Sequence, residues 1–127
     1  MKSVVRTDSA PAPFQGAPYS QAVTVGDLVF VSGQVPAYPG SGEIVGGSIT
    51  EQTERVMENI KAILEAAGSS LDRLVKTTVF LTDLANFAAM NEVYARYVGD
   101  QPPARATVEI GALPMGALLE IEAIAHV

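Results

Sequence analysis

The chain has 127 residues, 48% of them hydrophobic, no cysteine and a formal net charge of −6. That length fits one domain over residues 1–127, able to bury a core without disulfide or metal staples. The absence of cysteine excludes thiol catalysis and a thiolate metal site; with His126 as the one imidazole a zinc site or a Ser-His relay is hard to assemble, no metal is expected, and scattered cations argue against a nucleic-acid surface.

Residues 1–6 run straight into polar, proline-rich sequence without an apolar core of signal-peptide length. No later run is long enough to span a bilayer, which points to a cytoplasmic protein with no membrane partner. Residues 8–18 are too rich in proline and small residues for regular structure and read as an ordered arm ending at Tyr19. Ala22 to Val25, the turn Gly26-Asp27, and Leu28 to Val35 have the pattern of a hairpin. Gly33 lies inside the second run, where glycine marks a bulge or a close approach to the backbone. Five residues of Tyr38 to Gly47 are Pro39, Gly40, Gly42, Gly46 and Gly47, which makes the segment a loop.

A helix is predicted next. Ser48-x-x-Glu51 has capping-box form, and Val56, Met57, Ile60, Ile63, Leu64 and Ala67 recur at helical spacing until Gly68 ends the run. Leu74 to Leu81 reads as a strand. Thr82 or Asp83 then caps a second helix through Tyr97, with Leu84, Phe87, Met90, Val93, Tyr94 and Tyr97 on one face. Tyr94, Tyr97 and the methionines read as core, and His126 as an exposed strand end. Gly99 and Pro102-Pro103 stop the helix. Two strands close the chain, giving an α+β domain with both helices on one face of the sheet.

The last two strands carry the chemistry. Side chains alternate across a strand, so Arg105, Thr107 and Glu109 lie together while Ala104, Ala106, Val108 and Ile110 face away. Likewise Glu120, Glu122 and Ile124 oppose Leu119, Ile121, Ala123 and Ala125. Were these strands paired, a guanidinium and a carboxylate would share one rigid face, able to grip a small carboxylate ligand and place a water beside it. That face, with Ser32, Thr77, Arg105 and Glu120, is too polar for a second core and is expected to be wetted or buried against copies of the chain. The competing reading of Arg105 is an ion pair with Glu109 or Glu120. Glu122 reads as structural.

Across nearly its whole length the chain resembles the reactive intermediate deaminases of the RidA/YjgF family. The resemblance is carried by Pro103-Ala-Arg105-Ala-Thr107-Val-x-x-Gly111-x-Leu113 followed by Leu119-Glu120-Ile121. Pro18-Tyr19, Ser32-Gly33-Gln34-Val35-Pro36, Glu65-Ala-Ala-Gly68, Val75-Lys-Thr-Thr-Val-Phe-Leu-x-Asp83-Leu and Asn91 support it. It implies a chorismate-mutase-like fold, a homotrimer with clefts between subunits, and no cofactor. The implied reaction is hydrolysis of 2-imino acids such as 2-iminobutanoate and 2-iminopropanoate, or their enamine tautomers, to 2-oxo acids and ammonia. Arg105 would clamp the substrate carboxylate, Glu120 would hold the attacking water, and Tyr19 would assist. Thr107, Ser32, Gly33 and Asn91 would line the cleft. Two departures are Ala17, where the family has glycine before Pro-Tyr, and Thr107, where it often has cysteine; neither removes a charge. The alternatives are an endoribonuclease-type translation inhibitor and a non-catalytic trimer that binds 2-oxo acids.

Overall fold

The computed structural model describes all 127 residues. Six strands form one mixed sheet: β1 (Lys2–Val5), β2 (Ala22–Val25), β3 (Leu28–Gln34), β4 (Leu74–Leu81), β5 (Ala104–Glu109) and β6 (Leu119–His126). Two helices, α1 (Ile49–Ala66) and α2 (Phe87–Val98), cover one of its faces. The order across the sheet is β1-β2-β3-β6-β4-β5, antiparallel throughout except for the parallel pair β4 and β5. That pair is the one joined by a helix, as a parallel connection requires.

Local chemistry explains the boundaries. The Ser48 amide donates to Glu51 Oε2 at 3.1 Å, satisfying one donor at the start of α1, and Gly68 takes the φ of +82° that follows its end. Asp83 Oδ1 accepts from the Ala85 amide at 2.9 Å, but the turn it caps is a short 3-10 helix, Leu84–Asn86, and α2 proper begins at Phe87. Leu84 and Phe87 consequently stay exposed, while Met90, Val93 and Tyr94 are buried. Of the methionines, Met57 and Met90 are core, whereas Met115 is exposed in a 3-10 turn, Pro114–Gly116, so the reading of all of them as core does not hold.

The strand β1 is not announced by the sequence, because Val4 and Val5 are its only strongly β-forming residues. Pairing with β2 stabilises it. The arm beyond is organised by buried Gln21, whose Nε2 donates to the carbonyls of Thr7, Ala10 and Pro11 at 3.0, 3.3 and 2.9 Å. One side chain thereby replaces the ladder that prolines deny this segment.

The core lies between the helices and the covered face. Val56, Met57, Ile60, Ile63 and Leu64 of α1 meet Val29, Val31, Val79, Leu81, Leu119 and Ile121 of the sheet. Each such side chain contributes roughly 1.5–3 kcal/mol on leaving water. The strand β6 sits at the centre because its covered-face residues Leu119, Ile121, Ala123 and Ala125 are all buried. No helix is long and apolar enough to cross a membrane.

Candidate active site: two half-sites on opposite faces

The strands β5 and β6 do not pair; β4 runs between them. The expectation that Arg105 and Glu120 share a face is thereby overturned, and register shows why. Arg105 stands opposite Thr77, and Thr77 opposite Ala123 of the covered face. Glu120 stands opposite Phe80 on the open face. Thr77 and Arg105 accordingly point toward the helices.

The first half-site is built on the edge strand β5 and on α2. The Arg105 guanidinium lies over the rings of Tyr94 and Phe87, its carbon 4.9 and 5.6 Å from their centroids. Both distances are within cation–π range. Tyr94 is fixed in turn by a 2.6 Å hydrogen bond between its hydroxyl and Thr77 Oγ1. Burial pushes the Tyr94 phenol up, with the Thr77 hydrogen bond and the nearby Arg105 charge opposing it, so the ring stays neutral beside the cation. Neither competing acid neutralises Arg105: Glu109 Oε1 accepts from the Leu84 amide at 2.9 Å, and Glu120 is on the far face. Arg105 is half-buried and lines a shallow cavity with Asn91, Tyr94, Pro102 and Pro103. Asn91 Oδ1 is buried there without a hydrogen-bond partner. A buried amide oxygen costs free energy while it lacks a donor, which fits a place for a ligand group. Thr107 lies one pleat further along the same face.

The second half-site belongs to the open face. The ladder between β3 and β6 shifts register between Val31 and Gln34, so Gly33 sits in a bulge. A Cβ there would stand 2.5 Å from Glu120 Oε2 and 2.7 Å from its carboxyl carbon. The Glu120 carboxylate thus rests against bare backbone, and both reasons for a strand glycine apply. Burial first, and the Glu122 charge second, push the Glu120 carboxyl above its usual 4.5. Glu122 thereby acts on the site without belonging to it. Ser32 borders the bulge, its Oγ donating to the Ser20 carbonyl at 2.5 Å. Tyr19 is exposed beside it, its hydroxyl accepting from the Phe14 amide at 2.6 Å. Tyr19 therefore anchors its own loop while bordering the cavity that contains Gly33.

Arg105, Thr107 and Asn91 are brought together at one edge, and Tyr19, Ser32, Gly33 and Glu120 elsewhere. Sequence reasoning missed Phe87 and Tyr94 as partners of Arg105. Their helical spacing signals core, and only the crossover that brings α2 over β5 reveals the second role. No group of acids and histidine is arranged to hold a metal.

A six-stranded mixed sheet with two helices on one face is the α+β fold of RidA proteins. The chain belongs to the family described as Endoribonuclease L-PSP, the RidA/YjgF family, whose model matches residues 7–127. A RutC family protein of Pyrococcus abyssi is 57% identical over 98% of this chain and 97% of its own length. The chloroplastic Reactive Intermediate Deaminase A of Arabidopsis thaliana is 46% identical over 98% of this chain and 65% of its own length. The crystal structure of RidA from an Antarctic Psychrobacter superposes with a TM-score of 0.93 at 47% identity, covering 98% of this chain and 99% of that one.

Proposed function

We propose that the protein hydrolyses reactive 2-imino acids, 2-iminobutanoate and 2-iminopropanoate among them, to 2-oxo acids and ammonia. The observation that carries this reading is the Glu120 carboxylate laid against the Gly33 backbone, half-buried and with no cation of its own chain beside it. Such a group can hold a water and accept its proton as the oxygen attacks the C=N carbon. The proton passes to nitrogen, giving a carbinolamine; Glu120 then moves the proton of the new hydroxyl to the same nitrogen, and as the C–N bond breaks and the C=O bond forms, ammonia leaves and the 2-oxo acid remains. Arg105 supplies the anion clamp, since its planar fork binds a carboxylate through two parallel hydrogen bonds. Asn91 and Thr107 line the clamp side, and Tyr19 and Ser32 the water side. The net charge of −6 and the exposed position of His126 give RNA cleavage no comparable support.

Because the two half-sites lie on opposite faces, one chain cannot close on one ligand. A second copy placing its Arg105 edge against the first copy's Gly33 bulge completes the cleft, and a homotrimer closes three such contacts by symmetry. The open face supports assembly: Val4, Val25, Leu28, Phe30 and Val108 are all exposed on it. An alternating strand whose outer face was meant for water would carry polar residues there.

The test is a threonine dehydratase reaction in which released 2-oxobutanoate is measured. The protein should accelerate release, and Arg105→Ala should lower that acceleration about 100-fold or more with the circular dichroism unchanged. Full activity in Arg105→Ala would overturn the assignment. Mixing Arg105→Ala with Glu120→Ala subunits should restore roughly a quarter of wild-type activity if each cleft draws on two copies. No recovery after subunit exchange would place both groups in one chain's site.

A further inference from the structure

We propose that Thr77 and Tyr94, hydrogen-bonded to each other under the parallel edge of the sheet, are positioning residues that hold the Arg105 guanidinium against an aromatic ring and so keep its charge and its N–H donors for the substrate carboxylate. The proposal rests on the deaminase reading for one thing only, the identity of that anion.

Arg105 stands on an edge strand, since β5 pairs with β4 alone. An arginine side chain has much rotamer freedom to lose, so a clamp ready for its ligand needs something that fixes it beforehand. An acid would fix the guanidinium and neutralise it at once. Glu109, on the same face of β5, is instead tied to the Leu84 amide at 2.9 Å. A ring acts differently. It attracts the cation over its face without cancelling the charge, and the guanidinium N–H donors, which lie in the plane of the group, stay free for a bidentate pair with a carboxylate.

Tyr94 is the principal ring. Its centroid is the nearer of the two, 4.9 against 5.6 Å, and it is 5% exposed where Phe87 is 41% exposed. Attraction between a cation and a ring strengthens as water is excluded. The strand that sets the Arg105 backbone also sets this ring. Thr77 is the register partner of Arg105, and its Oγ1 lies 2.6 Å from the Tyr94 hydroxyl. A β-branched side chain is stiff, so β4 fixes guanidinium and ring from one residue.

Packing alone does not ask for this hydroxyl pair. Thr77 shares the covered face of β4 with Val79 and Leu81, all three buried, and apolar groups of the same shapes would fill the space without desolvating polar atoms. What the pair adds is direction. A buried phenol has to meet its partner, and that requirement selects one placement of the ring. Burial also keeps the phenol protonated, so the ring under the cation stays uncharged.

The test separates fold from clamp. Thr77→Val and Tyr94→Phe each leave the other hydroxyl buried without a partner and should lower Tm; the double variant removes both and should recover most of that loss. Its Kd for 2-oxobutanoate, measured by calorimetry, and its KM in the dehydratase-coupled assay should nonetheless stay raised about threefold or more. Its kcat should stay within about twofold of wild type, as expected where binding common to the ground and transition states is lost. Thr77→Val with Tyr94→Leu, which removes the ring as well, should raise Kd and KM about tenfold or more. A Thr77→Val/Tyr94→Phe protein that regains wild-type Kd and KM together with its Tm would overturn the proposal, assign the pair to stability alone and leave the deaminase reading intact. Raised Kd in these variants, with no imine turned over by the wild type, would overturn the deaminase reading and leave the positioning of Arg105 standing.

Discussion

The two faces of the sheet are made from the same strands, yet they carry different tasks. On the covered face Val29, Val79, Leu81, Leu119 and Ile121 are fully buried under α1 and its neighbours. On the open face Phe30, Leu28, Val25 and Val108 are as apolar in kind and remain exposed. The single chain is satisfied on one side and incomplete on the other. Its functional groups follow the same division, with Arg105 held by aromatic rings of the helical layer and Glu120 held by a glycine bulge of the bare one. The covered face thus combines the core with one half of the proposed site, and the open face carries the other half.

The largest effect expected from breaking that contrast comes from charging the open face. On the proposed assembly, Phe30→Asp should give monomers and reduce activity by about 100-fold or more, because a desolvated carboxylate in an apolar contact is strongly unfavourable and the proposed cleft draws on two copies. Sedimentation alongside the coupled assay checks this; an active, fully assembled variant would remove the open face from consideration. A smaller effect is expected at the bulge. Gly33→Ala puts a methyl group 2.5 Å from Glu120 Oε2 and must displace the carboxylate, lowering kcat/KM at least about tenfold with little change in Tm. Gly46→Ala is the control, since a Cβ there meets nothing within 4 Å, and it should stay near wild type.

The smallest effect sharpens the electrostatic side of the comparison. Burial and Glu122 hold the Glu120 carboxyl above 4.5, so the folded chain binds this proton more tightly than the unfolded chain does. Below the unfolded value the group is neutral in both states and contributes nothing. As pH rises through the raised folded value the charged form is penalised, and stability falls to a plateau that persists at neutral pH. In the monomeric Phe30→Asp background, Glu120→Gln should therefore melt above its parent at neutral pH, with the difference closing as pH drops below 4.5. In the proposed assembly, where a neighbouring copy's Arg105 would stand beside Glu120, that gain should shrink or reverse. Melting curves in both backgrounds that show no difference at any pH would contradict the placement of both groups.

Much of the fold is legible in local chemistry. The capping box at Ser48, the apolar spacing from Val56 to Leu64, the glycine after Ala67 and the β-branched run Leu74–Leu81 each specify their element with neighbouring residues alone. Gly33 announces its bulge and the approach of another group, though not that the group is Glu120. Three features lie beyond that reach. The strand β1 exists because β2 offers it a free edge, the arm is ordered by Gln21 reaching carbonyls ten to fourteen residues away, and Phe87 becomes a partner of Arg105 through a crossover.

The amino-acid sequence by itself determined which side chains alternate together, Arg105 with Thr107 and Glu109, Glu120 with Glu122 and Ile124, because the two-residue period of a strand is a local property. It also carried the family likeness, which rests on residue order. Only the tertiary structure decided that these two sets turn to opposite faces, since that depends on β4 entering between β5 and β6, and strand order is fixed by burying Leu119, Ile121, Ala123 and Ala125 under the helices. Burial of a whole face is a cooperative, long-range demand, and no spacing within either segment encodes it.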